Sequence, residues 1–357
     1  MKIIHCSDLH LNSPLGSNLS PHKALERSAE LCAAFGRLVA YALREQVEAV
    51  LIAGDLFDSP YASGQTVDYV LEKIRSAAQV TFFYLRGNHD GNRDAFSGYD
   101  LPENMKCFEA AWKSYSCGSV LITGMELGLE KPEASFDELN LPADACNIVM
   151  LHGEIAAQPG PEQIALSRLR NKNIDYLALG HIHSFKQGKL DDRGIYCYCG
   201  CMEGRGFDEC GEKGFVLLET QESGIKSTFV PLGGRTLHEV FVDITDLETV
   251  TQILAAMEQA AAGIDSESLV KFTLTGSYTL QTHKDLRFLQ KMMEPNFWFV
   301  KIKDESRLEI DRESYEGDIS LKGEFIRLVL SSQHSDEEKE RIISCGIRAL
   351  MGEEVAL

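Results

Sequence analysis

The chain lacks any apolar run approaching the roughly 20 residues that span a bilayer, which argues against a membrane-spanning helix. A signal-peptide segment is not expected either. Met1-Lys2-Ile3-Ile4-His5-Cys6 leads straight into the first motif, with no room for an apolar stretch and cleavage site, so a cytoplasmic location is expected. Positive charge is scarce: Lys and Arg total 35 against 54 Asp and Glu, a net charge of -19. Phosphate contacts draw on surplus cations, so any nucleic-acid contact must rest on local basic patches or bound metal. The acidity is not a tail property, since residues 236–357 hold 23 acidic and 13 basic side chains. Paired Cys-x-x-Cys motifs are missing too. The 10 cysteines of so long a chain read as reduced thiols. Cys197, Cys199, Cys201 and Cys210 read as small apolar side chains in an extended segment in preference to a structural zinc site. Internal repeats and low-complexity segments are absent.

What is present is a chain of 357 residues, 44% hydrophobic and 25% charged, the profile of a soluble globular protein of two or three domains. Ile3–Cys6 and Ala49–Ala53 read as strands. Pro21–Arg44, with Leu25, Leu31, Phe35, Leu38, Val39 and Leu43 inward, and Thr66–Ala77 read as helices. Strands separated by helices favour parallel pairing with helices on the faces. The closer strands at 120–125, 148–151, 176–179, 194–198 and 215–219 predict a second, more mixed sheet packed on the first. Pro231-Leu232-Gly233-Gly234 marks a boundary. Beyond it come strands at 238–244, 268–275 and 297–302, helices at 247–261 and 284–293, and two final helices at 321–330 and 336–351, the last capped by Ser335 with Glu338.

Five apolar runs end in turns rich in Asp, Asn and His. The first carries Asp8 and His10; the run to Ala53 carries Asp55 and Asp58; Val80–Leu85 leads to Gly87-Asn88-His89-Asp90. His152 closes the fourth run, and His181 and His183 follow the fifth. Asp8 and His10, two apart, leave a strand end on one side and can grip one cation. A lone histidine of this kind would more often be a surface or core residue, but five of the ten histidines fall in these turns. Asp8, Asp55 and Asn88 offer oxygens and His10, His152, His181 and His183 offer imidazoles. With Asp55 bridging, these seven give four ligands to each of two divalent metals roughly 3.5–4 Å apart. The absence of thiolate favours Mn or Fe, with Zn as the alternative. Such a pair activates water and clamps the oxygens of an in-line displacement at phosphorus.

These blocks, Asp8-Leu9-His10, Gly54-Asp55, Gly87-Asn88-His89-Asp90, His152-Gly153 and Gly180-His181-Ile182-His183, resemble the calcineurin-like metallophosphoesterase superfamily. The resemblance implies a four-layer α/β sandwich of two mixed sheets flanked by helices; the elements read beyond Gly234 add a small α/β capping domain and C-terminal helices. It implies one metal on Asp8, His10, Asp55 and His183 and another on Asp55, Asn88, His152 and His181. His89 then protonates the leaving oxygen or steadies the transition state, with Asp90 as the partner of its ring. Within the superfamily the chain looks like SbcD-like DNA repair exonucleases, through Met1 to Leu11, Gly54 to Pro60 and Gly200 to Gly214. Ser59-Pro60 and Asp90 stand where phosphoprotein phosphatases continue with Asp-Arg-Gly and end in Glu. Asp58 departs from archaeal and eukaryotic relatives, which carry a histidine there.

The expected division is a nuclease domain over 1–235, a capping domain over 236–315 and a helical segment over 316–357. The expected activity is two-metal DNA exonuclease or endonuclease chemistry in DNA repair, with an SMC-like ATPase subunit as partner and a homodimer as a further assembly. In the capping module, Lys284, Arg287 and Lys291 at i, i+3 and i+7 share a helix face and Lys301 and Lys303 a strand face, the expected contacts for DNA phosphate. A solvated face explains them equally well. Arg168, Arg170 and Lys172 form a second cluster with the same ambiguity. The competing activity is a phosphodiesterase for small cyclic or linear nucleotides, which has little use for residues 236–357.

Overall fold

The computed structural model describes residues 1–15, 19–58, 62–91, 95–127, 136–157, 160, 162–222, 224–232, 234–279, 282–309 and 318–350, without the side chains of residues 336, 337 and 348. Ser59-Pro60, Gly233, the boundary expected at 315/316 and Met351 lie outside the described residues. The chain forms two compact units, Met1–Thr236 and Leu237–Leu357.

The first unit is α/β, built on two six-stranded mixed sheets. Lys2–Cys6, Ala49–Ala53, Thr81–Leu85 and Met105–Cys107 run parallel in the first. In the second, Val120–Gly124, Cys146–His152, Tyr176–Gly180 and Ile195–Tyr198 run parallel. The central strands are apolar on both faces, the pattern of a sheet covered on both sides. Ile3, Leu51, Phe83 and Leu85 point toward Ile122, Ile148, Met150 and Ala178 of the other sheet. Their alternate neighbours Ile4, Val50, Ile52 and Phe82 meet Leu31, Phe35, Val67, Val70 and Ile74 of helices Pro21–Arg44 and Gly64–Ser76. Each such side chain taken fully out of water contributes roughly 1.5–3 kcal/mol. On the outer face of the second sheet, Val149, Leu177 and Leu179 pack under Leu139, Leu141 and Leu169.

Three expectations need correction. Leu25 is 73% exposed, because the inner stripe of its helix begins at Arg27, which is buried in ion pairs with Glu30 and Glu203. The strand at 215–219 does not join the second sheet; Gly214–Gln221 returns antiparallel to Lys2–Cys6 at the edge of the first. The helix at 284–293 starts only at Leu286, since Asp285 is its N-cap and accepts the Phe288 N–H, so Lys284 lies before the helix.

The second unit has a three-stranded parallel sheet, Leu237–Asp243, Leu269–Thr275 and Phe299–Asp304. Its crossover helices are Val250–Ala260 and Leu286–Met293. Val242, Phe272, Leu274 and Val300 form its core with Ile253, Met257 and Leu289. Helices Leu321–Leu330 and Asp336–Leu350 pair through Ile326, Val329, Ile343 and Ile347, the second opened by the Ser335–Glu338 capping box.

Candidate metal centre

Parallel strands share a carboxyl end, so the turns after Cys6, Ala53 and Leu85 lie side by side at one edge of the first sheet, and those after His152 and Gly180 at one edge of the second. The turns are locked to each other: the Asp8 N–H donates to Gly54 O and the His10 N–H to Asp55 O. Asp8, His10, Asp55 and His181 have φ of 54°, 45°, 52° and 103°. Non-glycine residues held this way cost on the order of 1–3 kcal/mol each and cluster at functional sites. Glycine is demanded where donors crowd the backbone. A Cβ on Gly54 would sit 2.2 Å from His152 Nδ1, and one on Gly87 2.2 Å from Asp55 Oδ1.

Every donor of the expected set falls in one cluster. Asp55 Oδ1 accepts the His89 N–H at 2.8 Å, which leaves Oδ2 facing His152 Nε2 at 3.3 Å and His10 Nε2 at 3.6 Å. On one side His183 Nε2 lies 3.2 Å from His10 Nε2 and 3.7 Å from Asp8 Oδ1. On the other, Asn88 Oδ1 lies 3.0 Å from His152 Nε2 and 3.1 Å from His181 Nδ1. Metal–ligand bonds of roughly 2.0–2.2 Å put ligand atoms on one ion about 3–3.5 Å apart, close to the 3.0 to 3.7 Å found here.

The chemistry of the donors makes the fit specific. His152 Nδ1 donates to the Ala53 carbonyl at 2.9 Å, which turns the lone pair of Nε2 toward two oxygens, Asn88 Oδ1 and Asp55 Oδ2. Three electron-rich atoms converging in a buried space repel unless a proton or a cation lies among them. A dinuclear metal pair fits: Asp8, His10, Asp55 and His183 would hold one ion, and Asp55, Asn88, His152 and His181 the other. The groups Asp8–His10–His183 and Asp8–Asp55–His152 each bring ligand atoms within 4.8 Å of one another.

In the metal-free chain His152 would take up a proton, while the rings of His10 and His181 would not. Burial alone would depress His152, but the Asp55 and Asp8 carboxylates overcome it and raise its pKa to about 9. Asp55 is the converse: burial would raise it, and the His152 and His10 rings hold it below the usual carboxylate range. Burial lowers His10 to about 3, with help from the Arg205 charge, and lifts Asp8. His181 is lowered by burial and by His152.

Around His89 the structure departs from the sequence reading. Its ring partner is Asp58, with Nδ1 2.9 Å from Asp58 Oδ1, and not Asp90. Asp90 is 1% exposed and accepts backbone N–H groups of Gly87 at 2.9 Å and Phe57 at 2.8 Å, so it ties the third turn to the second. Burial and the Asp55 charge raise its pKa to about 7. The spacing of Asp58, three residues after Asp55, was the only signal for its place, and it stands between His89 and the cation Arg205. Arg205 and Glu209 were missed altogether. Glu209 Oε1 lies 2.6 Å from His183 Nδ1, and Arg205 Nη2 2.9 Å from the same oxygen. They come from the turn segment after Gly200, whose sequence carries no ligand-type spacing.

The remaining site expectations fare differently. In the second unit Lys284 donates to Asp304 at 2.7 Å and Ser306 at 2.9 Å and lies over the Tyr278 ring, so it does not share a helix face with Arg287 and Lys291. Those two are exposed on Leu286–Met293, and Lys303 pairs with Glu305. Lys301 stands two residues from Lys303 on the same strand. In the first unit Arg168 pairs with Asp137, and Lys172 donates to the carbonyls of Asp137 and Leu139, which makes that cluster a brace for its own loop. Cys197, Cys199 and Cys201 are buried and Cys210 is exposed. Among the described residues they join no metal-binding group. No described helix is long and apolar enough to cross a membrane.

Comparison with known proteins gives one family model, the calcineurin-like phosphoesterase, matching residues 1–185. The chain is 26% identical over 340 residues to the uncharacterized metallophosphoesterase YhaO of Bacillus subtilis (strain 168), covering 87% of this chain and 83% of that protein. It is 24% identical over 271 residues to the DNA double-strand break repair protein Mre11 of Aeropyrum pernix, covering 69% of this chain and 64% of that protein. Among solved structures it is similar to a dimetal phosphatase from Danio rerio, with 12% identity, a TM-score of 0.42, and coverage of 65% of this chain and 99% of that one.

Proposed function

The chain belongs to the calcineurin-like phosphoesterase family, whose members use a dinuclear metal site, and on that premise we propose that it is a Mn-dependent nuclease that hydrolyses phosphodiester bonds of DNA in repair. The observation that carries the hydrolytic part is the single oxygen, Asp55 Oδ2, facing imidazole nitrogens from both halves of the centre at 3.3 and 3.6 Å. The choice of DNA rests on the likeness to Mre11 over 69% of the chain and on the presence of the second unit. An SMC-like ATPase partner and a homodimer belong to the same reading and would supply grip that an acidic chain lacks.

When bound, the metal pair supplies Lewis acidity that activates water and neutralises the phosphoryl charge. The chain's own residues do the rest. Asp58 is held below the usual carboxylate range: burial opposes this, and the bonds from His89 and Ser13 outweigh it. It is therefore an acceptor, and His89 Nδ1 carries the proton it accepts. That holds the ring through Nδ1 and leaves Nε2 as the atom able to act; with a half-exposed side chain, the doubly protonated His89 would give its Nε2 proton to the leaving oxygen of a bound diester while Nδ1–H stays on Asp58. Asp8, at 1% exposure, and Ser7, which donates to it, seal the floor of the site against bulk water.

The test is hydrolysis by purified protein, with Mn and with chelator, of linear and plasmid duplex DNA and of bis-p-nitrophenyl phosphate. Mn-dependent cutting of both is expected. Hydrolysis of the small diester with intact DNA would favour a small-nucleotide phosphodiesterase, a reading that the pairing of Lys284 and Lys303 with acids supports.

A further inference from the structure

Arg205 and Glu209 belong to none of the strand-end motifs, yet between them they reach a donor of one half of the centre, His183, and Asp58, the carboxylate beside His89. Glu209 is 6% exposed. Its Oε1 meets His183 Nδ1 at 2.6 Å and Arg205 Nη2 at 2.9 Å, and its Oε2 accepts the Arg205 N–H at 2.7 Å. The other guanidinium nitrogen, Arg205 Nη1, lies 4.0 Å from Asp58 Oδ2 and 3.5 Å from Ser13 Oγ. Asp58 in turn holds His89 through its second oxygen. One arginine thus stands between the carboxylate that holds a metal-side histidine and the carboxylate that holds the acid.

We propose that Glu209 and Arg205 are positioning residues: Glu209 fixes the tautomer and aim of His183, and Arg205 ties that carboxylate to the Asp58–His89 pair. The ionised Glu209 can only accept, so His183 carries its proton on Nδ1 and presents the Nε2 lone pair toward Asp8 Oδ1 and His10 Nε2. Arg205 suits this place because its planar fork serves two carboxylates at once, which an ammonium cannot do with fixed geometry. Removing Glu209 would free the imidazole to rotate and to divide between tautomers, while Nε2 alone can reach the donors across from it. The inference needs the dinuclear centre but not the DNA reading, and its first measurement contains no substrate, so failure of one is distinguishable from failure of the other.

The experiment is a calorimetric Mn titration of the metal-free full chain, wild type against Glu209→Ala, Glu209→Gln and Arg205→Lys. Glu209→Ala should weaken one of the two sites by about 10–100-fold, the usual effect of removing such a partner, and leave the other as it was. Glu209→Gln keeps an oxygen acceptor for Nδ1–H and should recover most of that affinity. Melting temperatures in chelator should be alike for all variants and diverge only with Mn. Arg205→Lys should lower kcat more for a diester with an alkoxide leaving group than for bis-p-nitrophenyl phosphate, since only the former needs the proton from His89. Equal Mn titrations of wild type and Glu209→Ala would overturn the proposal, as would a drop in chelator melting temperature equal to the drop with Mn. Should Glu209→Ala not fold, nitrogen NMR of the Zn-loaded wild type decides: His183 as the Nδ1–H tautomer supports the brace, and an Nε2–H tautomer refutes it.

Discussion

The candidate metal centre of the first unit and the lysines of the second unit handle charge in opposite ways. In the first, like groups are forced together: Asp8 and Asp55 are each 1% exposed, two histidine nitrogens face one another at 3.2 Å, and four donor residues stand in left-handed backbone. In the second, opposite charges have been allowed to meet: Lys284 lies on Asp304, Lys271 on Glu239 and Lys303 on Glu305. Matched pairs at a surface stabilise by about 0–1 kcal/mol and leave little charge for a ligand. Unmatched convergence inside a fold is costly, and it persists where a bound partner, here a cation, would resolve it.

The sharpest way to break this contrast is to remove the atom at its centre. Asp55→Ala should abolish activity and metal pairing together, because among the described residues Asp55 Oδ2 is the carboxylate oxygen within 4 Å of imidazoles of both sets, at 3.3 and 3.6 Å. Two metals per chain by elemental analysis of that variant would show that the pair does not share this carboxylate. His89→Asn comes next. It should keep both metals and lower turnover of DNA by about 10²–10⁴-fold, the span for a positioned acid. Metal loss in its place would make His89 a ligand, as the grouping of His10, Asp58 and His89 allows.

A gentler probe is pH. In the metal-free chain the His152 pKa is raised to about 9, above the 6.5 of an unfolded histidine. A raised base contributes stability that is fully present below the unfolded pKa and disappears as pH climbs through the folded one. The melting temperature in chelator should therefore fall between about pH 6.5 and 9, with the other titrating groups held in common with a His152→Gln control. With Mn the fall should vanish, because the metal displaces the proton. Binding at neutral pH should accordingly release close to one proton, read as a dependence of the binding heat on the ionisation enthalpy of the buffer. A buffer-independent heat would mean that His152 is already neutral and that the pairing with Asp55 is weaker than its 3.3 Å distance implies.

The donors could be read from the sequence because parallel strands deliver their carboxyl ends to one edge, so short-range spacing becomes long-range proximity. Asp8-x-His10 and His181-x-His183 needed only that rule. What supports the donors could not be read this way. The partner of His89 depends on which of two nearby carboxylates, Asp58 in the turn after Ala53 or Asp90 in its own turn, the backbone leaves to it, and Asp58 takes the ring while Asp90 is consumed by the backbone of Phe57 and Gly87. Glu209 reaches His183 across 26 residues, from a segment with no periodicity. The edge strands Lys113–Cys117 and Lys186–Lys189 escaped for a related reason: the first offers only Tyr115 and Cys117 as a short alternating apolar face, and the second is polar and mostly exposed. The helix at 284–293 was misplaced by two residues, and that alone removed Lys284 from the basic face.

That small shift carries the mildest prediction. If the second unit meets DNA through its helix Leu286–Met293, the binding belongs to the exposed Arg287 and Lys291, one turn apart on a common face. Arg287→Glu with Lys291→Glu should then weaken duplex binding and flatten its salt dependence by about 0.9 log unit for each phosphate no longer neutralised. Hydrolysis of bis-p-nitrophenyl phosphate should not change, since a diester of that size needs only the first unit's centre. Lys284→Glu should behave differently. Its ammonium is committed to Asp304, Ser306 and the Tyr278 ring, so reversal sets two carboxylates against each other and lowers the melting temperature, with little effect on the salt slope. If Lys284→Glu flattens the slope as much as the helix pair does, cations matched within the fold still serve the ligand, and the contrast between the two units is not one of available charge.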